Sequence, residues 1–402
     1  MNLGALKSKN YRTYVVGGVF GLIAIWMQRV TIGWLAWEMT DSASFVGAIA
    51  FILFAPTIVF SPIFGVWVDR WPVKRASVIL QCINGSLSAV LWMIVALDWA
   101  TPVLLAVMTL LIGMVIAAHH PVRMAFGPRL VKRELVGSVV TIGAINFNLA
   151  RMLGPAFGGA LIAWVGVAHT LLIQTLLFAP FLASLMMVSL RPRRDSGSAQ
   201  EPFFTALASG VRHVWHNTPV REAMLMGGVL ALVARGALEV LPPLADGVFG
   251  RGADGLGVLM SATGVGAVIG GFSQAILPPQ KAGRLPLYAR LAIVFGLALV
   301  AVLGLSPIWE GALIVAAGMS FVTTVTAICT QTAVQLDLED DMRGRVMSLW
   351  AVVAAGGAAL GAGAMGVLAD WLGYQTALIW TGSLAAVSVA AYLLVVRFKA
   401  SG

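Results

Sequence analysis

GSVVTIGAINFNLARMLGPAFGGALIAWVGVAHTL (137–171) is written a second time, without a gap, as GRVMSLWAVVAAGGAALGAGAMGVLADWLGYQTAL (344–378), 207 residues downstream. Gly137, Val139, Ala144, Leu153, Gly154, Gly159, Leu161, Trp164, Gly166 and Leu171 recur as Gly344, Val346, Ala351, Leu360, Gly361, Gly366, Leu368, Trp371, Gly373 and Leu378. A second stretch repeats at nearly the same offset. GGV at 17–19 returns at 227–229, and Gly47 returns as Gly257, both 210 residues on. The two copies run in the same direction and are almost wholly apolar. The chain therefore reads as two related, parallel halves.

Of its 402 residues, 59% are hydrophobic and 11% charged. A water-soluble globule carries about a quarter charged residues, so this chain lacks the polar surface that water requires. Twelve apolar stretches are each long enough to span a bilayer: 14–37, 44–66, 76–97, 101–119, 137–164, 168–190, 222–245, 255–277, 286–305, 309–335, 345–369 and 373–396. Several exceed the ~20 residues a crossing needs, which predicts tilt. The first stretch is too long for a cleaved signal peptide and lacks a small-residue cleavage site. The expected fold is all-α, with twelve transmembrane helices in two parallel six-helix repeats.

The net charge of +9 is distributed as a membrane protein distributes it, which excludes a nucleic-acid reading. With both termini cytoplasmic, 22 of the 26 basic residues fall on the inner side. The four exceptions are Arg251 in an outer loop and Arg29, Arg151 and Arg235 inside spans. Glu38, Asp41, Asp98, Asp246, Asp254 and Glu310 fall outside. This positive-inside pattern sets the expected orientation, in a bacterial cytoplasmic membrane, with the basic excess against anionic headgroups. The sequence predicts an N-terminal bundle over 1–190, a linker over 191–221 and a C-terminal bundle over 222–402. Within the linker, Phe204, Leu207, Val211 and Trp215 recur at helical spacing and predict an amphipathic helix on the membrane surface. Cys82 and Cys329 fall within different halves and are expected as small buried residues rather than a disulfide.

Four strings carry a family resemblance: GVWVDRWPVKR (65–75), FNLARMLGPAFGG (147–159), DDMRGRVMSLW (340–350) and ALASGVRHVWHNTPVR (206–221). Taken in order, they resemble the major facilitator superfamily of secondary transporters, in particular the bacterial branch that includes the enterobactin exporter and drug-efflux homologues. The resemblance implies alternating access around a central cavity lined by spans 1, 4, 7 and 10. It also implies a cytoplasmic latch in which Asp69, with Arg70, Lys74 and Arg75 around it, faces the start of span 11 at Gly344 and Arg345. A carboxylate there gains from both the helix dipole and the arginine. Pro72 and Val73 depart from the usual pattern, and Pro279 stands where a second acid would fall, so the latch should be one-sided. Gly154, Pro155, Gly158 and Gly159 match the core of the family's antiporter motif in span 5, which favours export. Small residues permit close packing, and proline bends the helix. Span 4, read as ending near His120, carries no membrane-embedded arginine of the kind many relatives use.

Charges inside a bilayer cost on the order of 3 kcal/mol each and mark function. They are Arg29 in span 1, beside Gln28, Arg151 in span 5, one turn after Asn148, and Arg235 and Glu239 in span 7. The 210-residue offset maps Arg29 onto Glu239, so opposite charges occupy equivalent positions in two cavity-lining spans. This predicts that they meet when the outer side closes. Glu239 is the candidate for proton coupling, its proton affinity switched by alternation of partners. A static Arg235–Glu239 pair on one helix face is the competing reading. Arg151 either binds an anionic or catecholate-like group or caps carbonyls freed near Pro155. Thr323, Thr324, Thr326, Thr330 and Gln331 either line a polar wall or bond their own backbone.

No glycine loop precedes a lysine in the manner of a nucleotide site, and no metal-ligand cluster or convergent acid/base pair stands out. The sequence thus predicts no enzyme, no cofactor and no metal. It predicts a monomeric, proton-coupled exporter of a small amphiphile, siderophore- or drug-like. An importer of the same fold, or a non-transporting receptor subunit, is the alternative.

Overall fold

The computed structural model describes residues 4–68, 71–191, 203–274, 276, 285–336, 338 and 340–401. Among these, all regular structure is helical. The helices are α1 (Lys9–Thr40), α2 (Ala43–Val68), α3 (Val73–Ala96), α4 (Pro102–Phe126), α5 (Val136–Met187), α6 (Phe203–His216), α7 (Thr218–Leu230), α8 (Gly236–Leu238), α9 (Gly252–Ser273), α10 (Leu287–Leu305), α11 (Trp309–Leu336), α12 (Asp340–Leu372) and α13 (Tyr374–Ser401).

Among the described residues, ten helices are long and apolar enough to cross a membrane. Two departures reconcile that figure with twelve expected spans. The 52 residues of α5 hold two spans, broken where Gly166 takes φ 80°, ψ 170°, a conformation essentially reserved for glycine. Span 7 is not one helix but several short pieces. Gly373, the repeat partner of Gly166, has φ 82° and separates α12 from α13. Beside these breaks, Trp164 and Trp371 are 79% and 80% exposed, at span ends where indole rings suit the membrane interface. The repeat is therefore a repeat of backbone geometry.

The chain forms two compact units. One comprises 1–41, 52–197 and 251–261; the other comprises 42–51, 198–250 and 262–402. In the first, α1 runs between the two arms of α5. Gly21 approaches Phe181 on the second arm, while Gly154 and Gly158 on the first arm approach Trp26 and Met27. A methyl at Gly154 would stand 2.5 Å from Trp26 Cβ, so only glycine permits this spacing. Gly159 packs backbone to backbone on Gly257 of α9. One core cluster gathers Tyr11, Phe126, Phe181 and Leu185, with Tyr14 stacked on Phe126 at 4.9 Å between centroids.

The second unit repeats the pattern. A methyl at Gly361, the partner of Gly154, would fall on the Leu232 carbonyl oxygen, and Gly366, the partner of Gly159, packs on Gly47 of α2. The amphipathic helix expected in the linker is α6, with Val211 and Trp215 49% and 68% exposed. Cys329 is buried as expected, but Cys82 lies on the exposed face of α3; no disulfide joins them.

Candidate functional site

In the first unit, the arginines named from sequence lie on aromatic rings. The Arg29 guanidinium carbon sits 4.4 Å from the Trp26 ring centroid and 4.6 Å from that of Phe54. Arg151 approaches the same Trp26 ring at 5.9 Å. Phe147 meets Trp26 edge-on at 5.6 Å and carries Arg123 at 5.3 Å. Helices α1, α2, α4 and α5 thus converge on three guanidinium groups interleaved with three rings. Guanidinium is flat and weakly hydrated, and its attraction to a ring face is worth about 0.5–2 kcal/mol. Such an array offers faces for a planar ligand and charges for an acidic one.

The fourth helix runs past its expected end. The expected end near His120 falls just before Pro121, a residue that removes a donor and crowds the preceding turn. The helix instead continues through Pro121 to Phe126 and brings half-buried Arg123 to Phe147. The three rings were also missed. Their spacing in sequence carries no signal, since the cluster is assembled from four helices.

Gln28 is 1% exposed, and among the described residues neither atom of its amide meets a hydrogen-bonding partner. One turn on, buried Thr31 donates to the Gln174 side-chain carbonyl at 3.4 Å, and the Gln174 amide nitrogen is likewise unsatisfied. Buried polar groups without partners are rare, and they mark places where water or ligand belongs. Asn148 lies one turn before Arg151 on α5; its side chain is outside the described residues.

In the second unit, Arg235 closes a π-helical turn, Ala231–Arg235, and Glu239 follows α8 where helical bonding lapses. The Glu239 and Val240 N–H groups donate three residues back, to Gly236 and Ala237. The chain then passes Pro242 and Pro243 into a second π turn, Pro243–Val248. Leu244 N–H donates to Leu241, so the Val240 carbonyl loses its regular helical donor. The buried Tyr374 hydroxyl supplies the replacement by donating to that carbonyl. Broken spans and π turns collect at membrane binding sites, because irregular backbone is tolerated only where protein or a polar cavity satisfies it.

Glu222 is a second carboxylate that the sequence reading passed over. It is buried on α7 and lies 2.8 Å from the Arg290 guanidinium of α10, at ion-pair distance but without hydrogen-bond alignment. In α11, the hydroxyls of Thr323, Thr326 and Thr330 bond back to Ser320, Val322 and Thr326, so these three satisfy their own helix.

Of the latch residues, Asp69 and Arg70 lie outside the described residues, and Arg345 is described only as helical backbone of α12. Arg75 is exposed in the first turn of α3. Lys74 is engaged elsewhere. It donates to the carbonyls of Met186 and Val188 at 2.9 and 2.7 Å, closing the C-terminal end of α5.

A family model described as transmembrane secretion effector matches residues 2–401. The chain belongs to that family, within the major facilitator superfamily. It is 28% identical over 247 residues to the enterobactin exporter EntS of Escherichia coli O1:K1, a match covering 61% of this chain and 58% of that protein. To EntS of Shigella boydii serotype 4 it is 25% identical over 383 residues, covering 92% and 87%. In the first alignment the chain thus spans just under three-fifths of the relative's length. Among solved structures, a bacterial homologue of the lysosomal transporter Spinster, inward-facing and unoccupied, superposes with a TM-score of 0.70 at 14% identity, covering 96% and 95%. The nucleoside transporter NupG gives 0.70 at 13%, covering 96% and 98%. These members of the fold agree in architecture. The protein is thus a multi-pass membrane protein of the major facilitator type, a superfamily of transporters rather than enzymes.

Proposed function

We propose that this transporter exports a small amphiphile bearing an aromatic ring and an acidic group, a siderophore- or drug-like molecule, in exchange for protons. The observation that carries the reading is the Arg29–Trp26–Arg151 stack, extended by Phe54, Phe147 and Arg123. A planar anion gains there from ring faces and guanidinium charge together, and the unsatisfied Gln28 amide adds a donor and an acceptor to the same unit. Glu239, at the broken seventh span with Arg235 one turn away, is the proposed proton carrier. Export is favoured by the relatives named as exporters and by the Gly154, Pro155, Gly158 and Gly159 motif.

The proposal includes a monomer in a bacterial cytoplasmic membrane with both termini inside, bundles over 1–190 and 222–402, and a cytoplasmic latch from Asp69, Arg70 and Arg75 to Arg345. The test is uptake of a fluorescent aromatic carboxylate into everted vesicles with an acid interior. Uptake should collapse with an uncoupler and be lost in Glu239→Gln. Gradient-driven uptake unchanged in Glu239→Gln would remove the coupling role. Accumulation confined to right-side-out vesicles would reverse the direction.

A further inference from the structure

Asp370 stands at the end of α12, one residue before Trp371, and its carboxylate closes the start of α2. One oxygen accepts from the Ala43 N–H at 2.9 Å; the other accepts from the Ser44 N–H at 3.0 Å and from the Ser42 hydroxyl at 2.8 Å. The Ser42 hydroxyl oxygen in turn accepts from the Phe45 N–H at 3.1 Å. The first turn of a helix carries N–H groups without intrahelical partners, and an acidic side chain there gains from both hydrogen bonding and the dipole. A cap is ordinarily supplied from within the same chain segment. Here it comes from a helix more than 300 residues away.

The packing beneath brings the two backbones close together. A methyl on Gly366 would fall on the Ala43 carbonyl, and one on Gly47 would fall on the Ala362 carbonyl. Ser44 also donates to the Gly366 carbonyl at 3.4 Å. All these residues lie within the second unit, which takes in residues 42–51 of α2 while the remainder of that helix belongs to the first. The assignment of α2 changes from one unit to the other between Phe51 and Ile52, about two turns beyond the Asp370 cap.

The internal repeat supplies the control. Gly159 and Gly257 reproduce the Gly366 and Gly47 contact in the other copy. The residue 207 positions before Asp370 is Ala163, which has no carboxylate to offer α9. Close packing is thus duplicated, but the charged cap is not.

We infer that Asp370 is a one-sided latch for transport, holding the N-terminus of α2 against α12 in one state and releasing it in the other. The inference rests on the alternating-access reading above. In the proposed orientation this end faces outward, opposite the Asp69 region, so α2 would be held at each end by a carboxylate in a different part of the cycle.

The experiment places spin labels at Phe51→Cys and Val367→Cys, in the full chain with Cys82→Ser and Cys329→Ser, and measures distance distributions in lipid nanodiscs. The parent should show a short and a long population. Asp370→Ala should shift the ratio toward the long one by about two- to thirty-fold, the range of a lost helix cap. Ser42→Ala, which removes one contact and leaves the carboxylate, should shift it less in the same direction; it remains readable if Asp370→Ala folds poorly. Two populations in an unchanged ratio in both variants would overturn the latch and leave alternating access standing. One fixed distance in the parent and variants, at every pH and with the fluorescent carboxylate added, would overturn both.

Discussion

Replacing Tyr374 with Phe removes one oxygen atom and leaves the ring that fills its site. Its hydroxyl is the donor to Val240, a carbonyl whose regular partner, the Leu244 N–H, is diverted to Leu241. Val240 is 0% exposed and Tyr374 is 7% exposed, so bulk water does not reach the carbonyl to compensate. A buried acceptor left unsatisfied costs about 1–3 kcal/mol, or roughly five- to 150-fold in a local equilibrium at 1.4 kcal/mol per decade. The cost should appear where the bond was, as easier opening of the segment around Glu239. Hydrogen–deuterium exchange in nanodiscs reads this directly, because exchange from a locally opened state scales with its population. Peptides covering 236–246 should exchange faster by that factor, while peptides from α3 keep the parent rate. Unchanged protection at 236–246 would show that the break is held by something other than Tyr374. A uniform loss over the chain would make Tyr374 a general core residue and refute the local argument.

Three further outcomes follow from close contacts. Gly361→Ala drives a methyl onto the Leu232 carbonyl and should cost at least the ~1–3 kcal/mol of overpacking, whereas Gly363→Ala, whose nearest atom is Phe51 Cβ at 3.9 Å, should be tolerated; melting temperatures in detergent compare them. Glu222→Gln leaves a charged, largely buried Arg290 without its ion pair and should lower stability by up to ~3 kcal/mol, while adding Arg290→Met should recover much of it, as read from the same melts. Trp26→Leu keeps an apolar side chain but removes the face under Arg29 and Arg151. It should weaken binding of the fluorescent aromatic carboxylate several-fold while leaving an aliphatic carboxylate little changed, as measured by equilibrium titration.

The spans were legible because a bilayer forces long apolar helices, and the break at Gly166 fell where the repeat placed it. Span 7 was legible only as an apolar run. Its Leu, Val and Ala residues run through 230–241, interrupted only by Arg235, Gly236 and Glu239, so the first π turn leaves no mark in hydropathy, although Pro242 and Pro243 mark where the second one starts. Arg123 was passed over because span 4 was read as ending near His120, whereas the helix continues through Pro121 to Phe126. The cations of the candidate site could be picked out because charge within a span is costly. Their ring partners could not, because Trp26, Phe54 and Phe147 are unremarkable in an apolar sequence until four helices bring them together. Asp370 was passed over for a related reason. It falls between two spans and reads as a loop acid, and only the fold shows that its partner is the first turn of α2.

The two copies agree where the backbone needs them to agree and differ where chemistry is carried. Gly154 and Gly361, Gly159 and Gly366, Gly47 and Gly257, and Gly166 and Gly373 keep the same contacts or the same backbone turn in both. The positions equivalent to Trp26, Phe54, Phe147 and Arg151 are Gly236, Gly264, Ala354 and Ala358, at offsets of 210 and 207. All four of these have a small residue as counterpart. At Gly236 the consequence is structural, since its Cα lies so near Gly361 that a methyl would stand 2.7 Å from the Gly361 Cα. The second copy has given up the aromatic platform for direct helix contact, and it carries Glu239 where the first carries Arg29. In the proposed function, ligand recognition by rings and cations would therefore belong to the first copy, and the broken helix with its carboxylate to the second. Transplanting the platform should fail for a steric reason before any electrostatic one: Gly236→Trp would collide with α12, and its loss of folded yield should exceed that of Gly236→Ala.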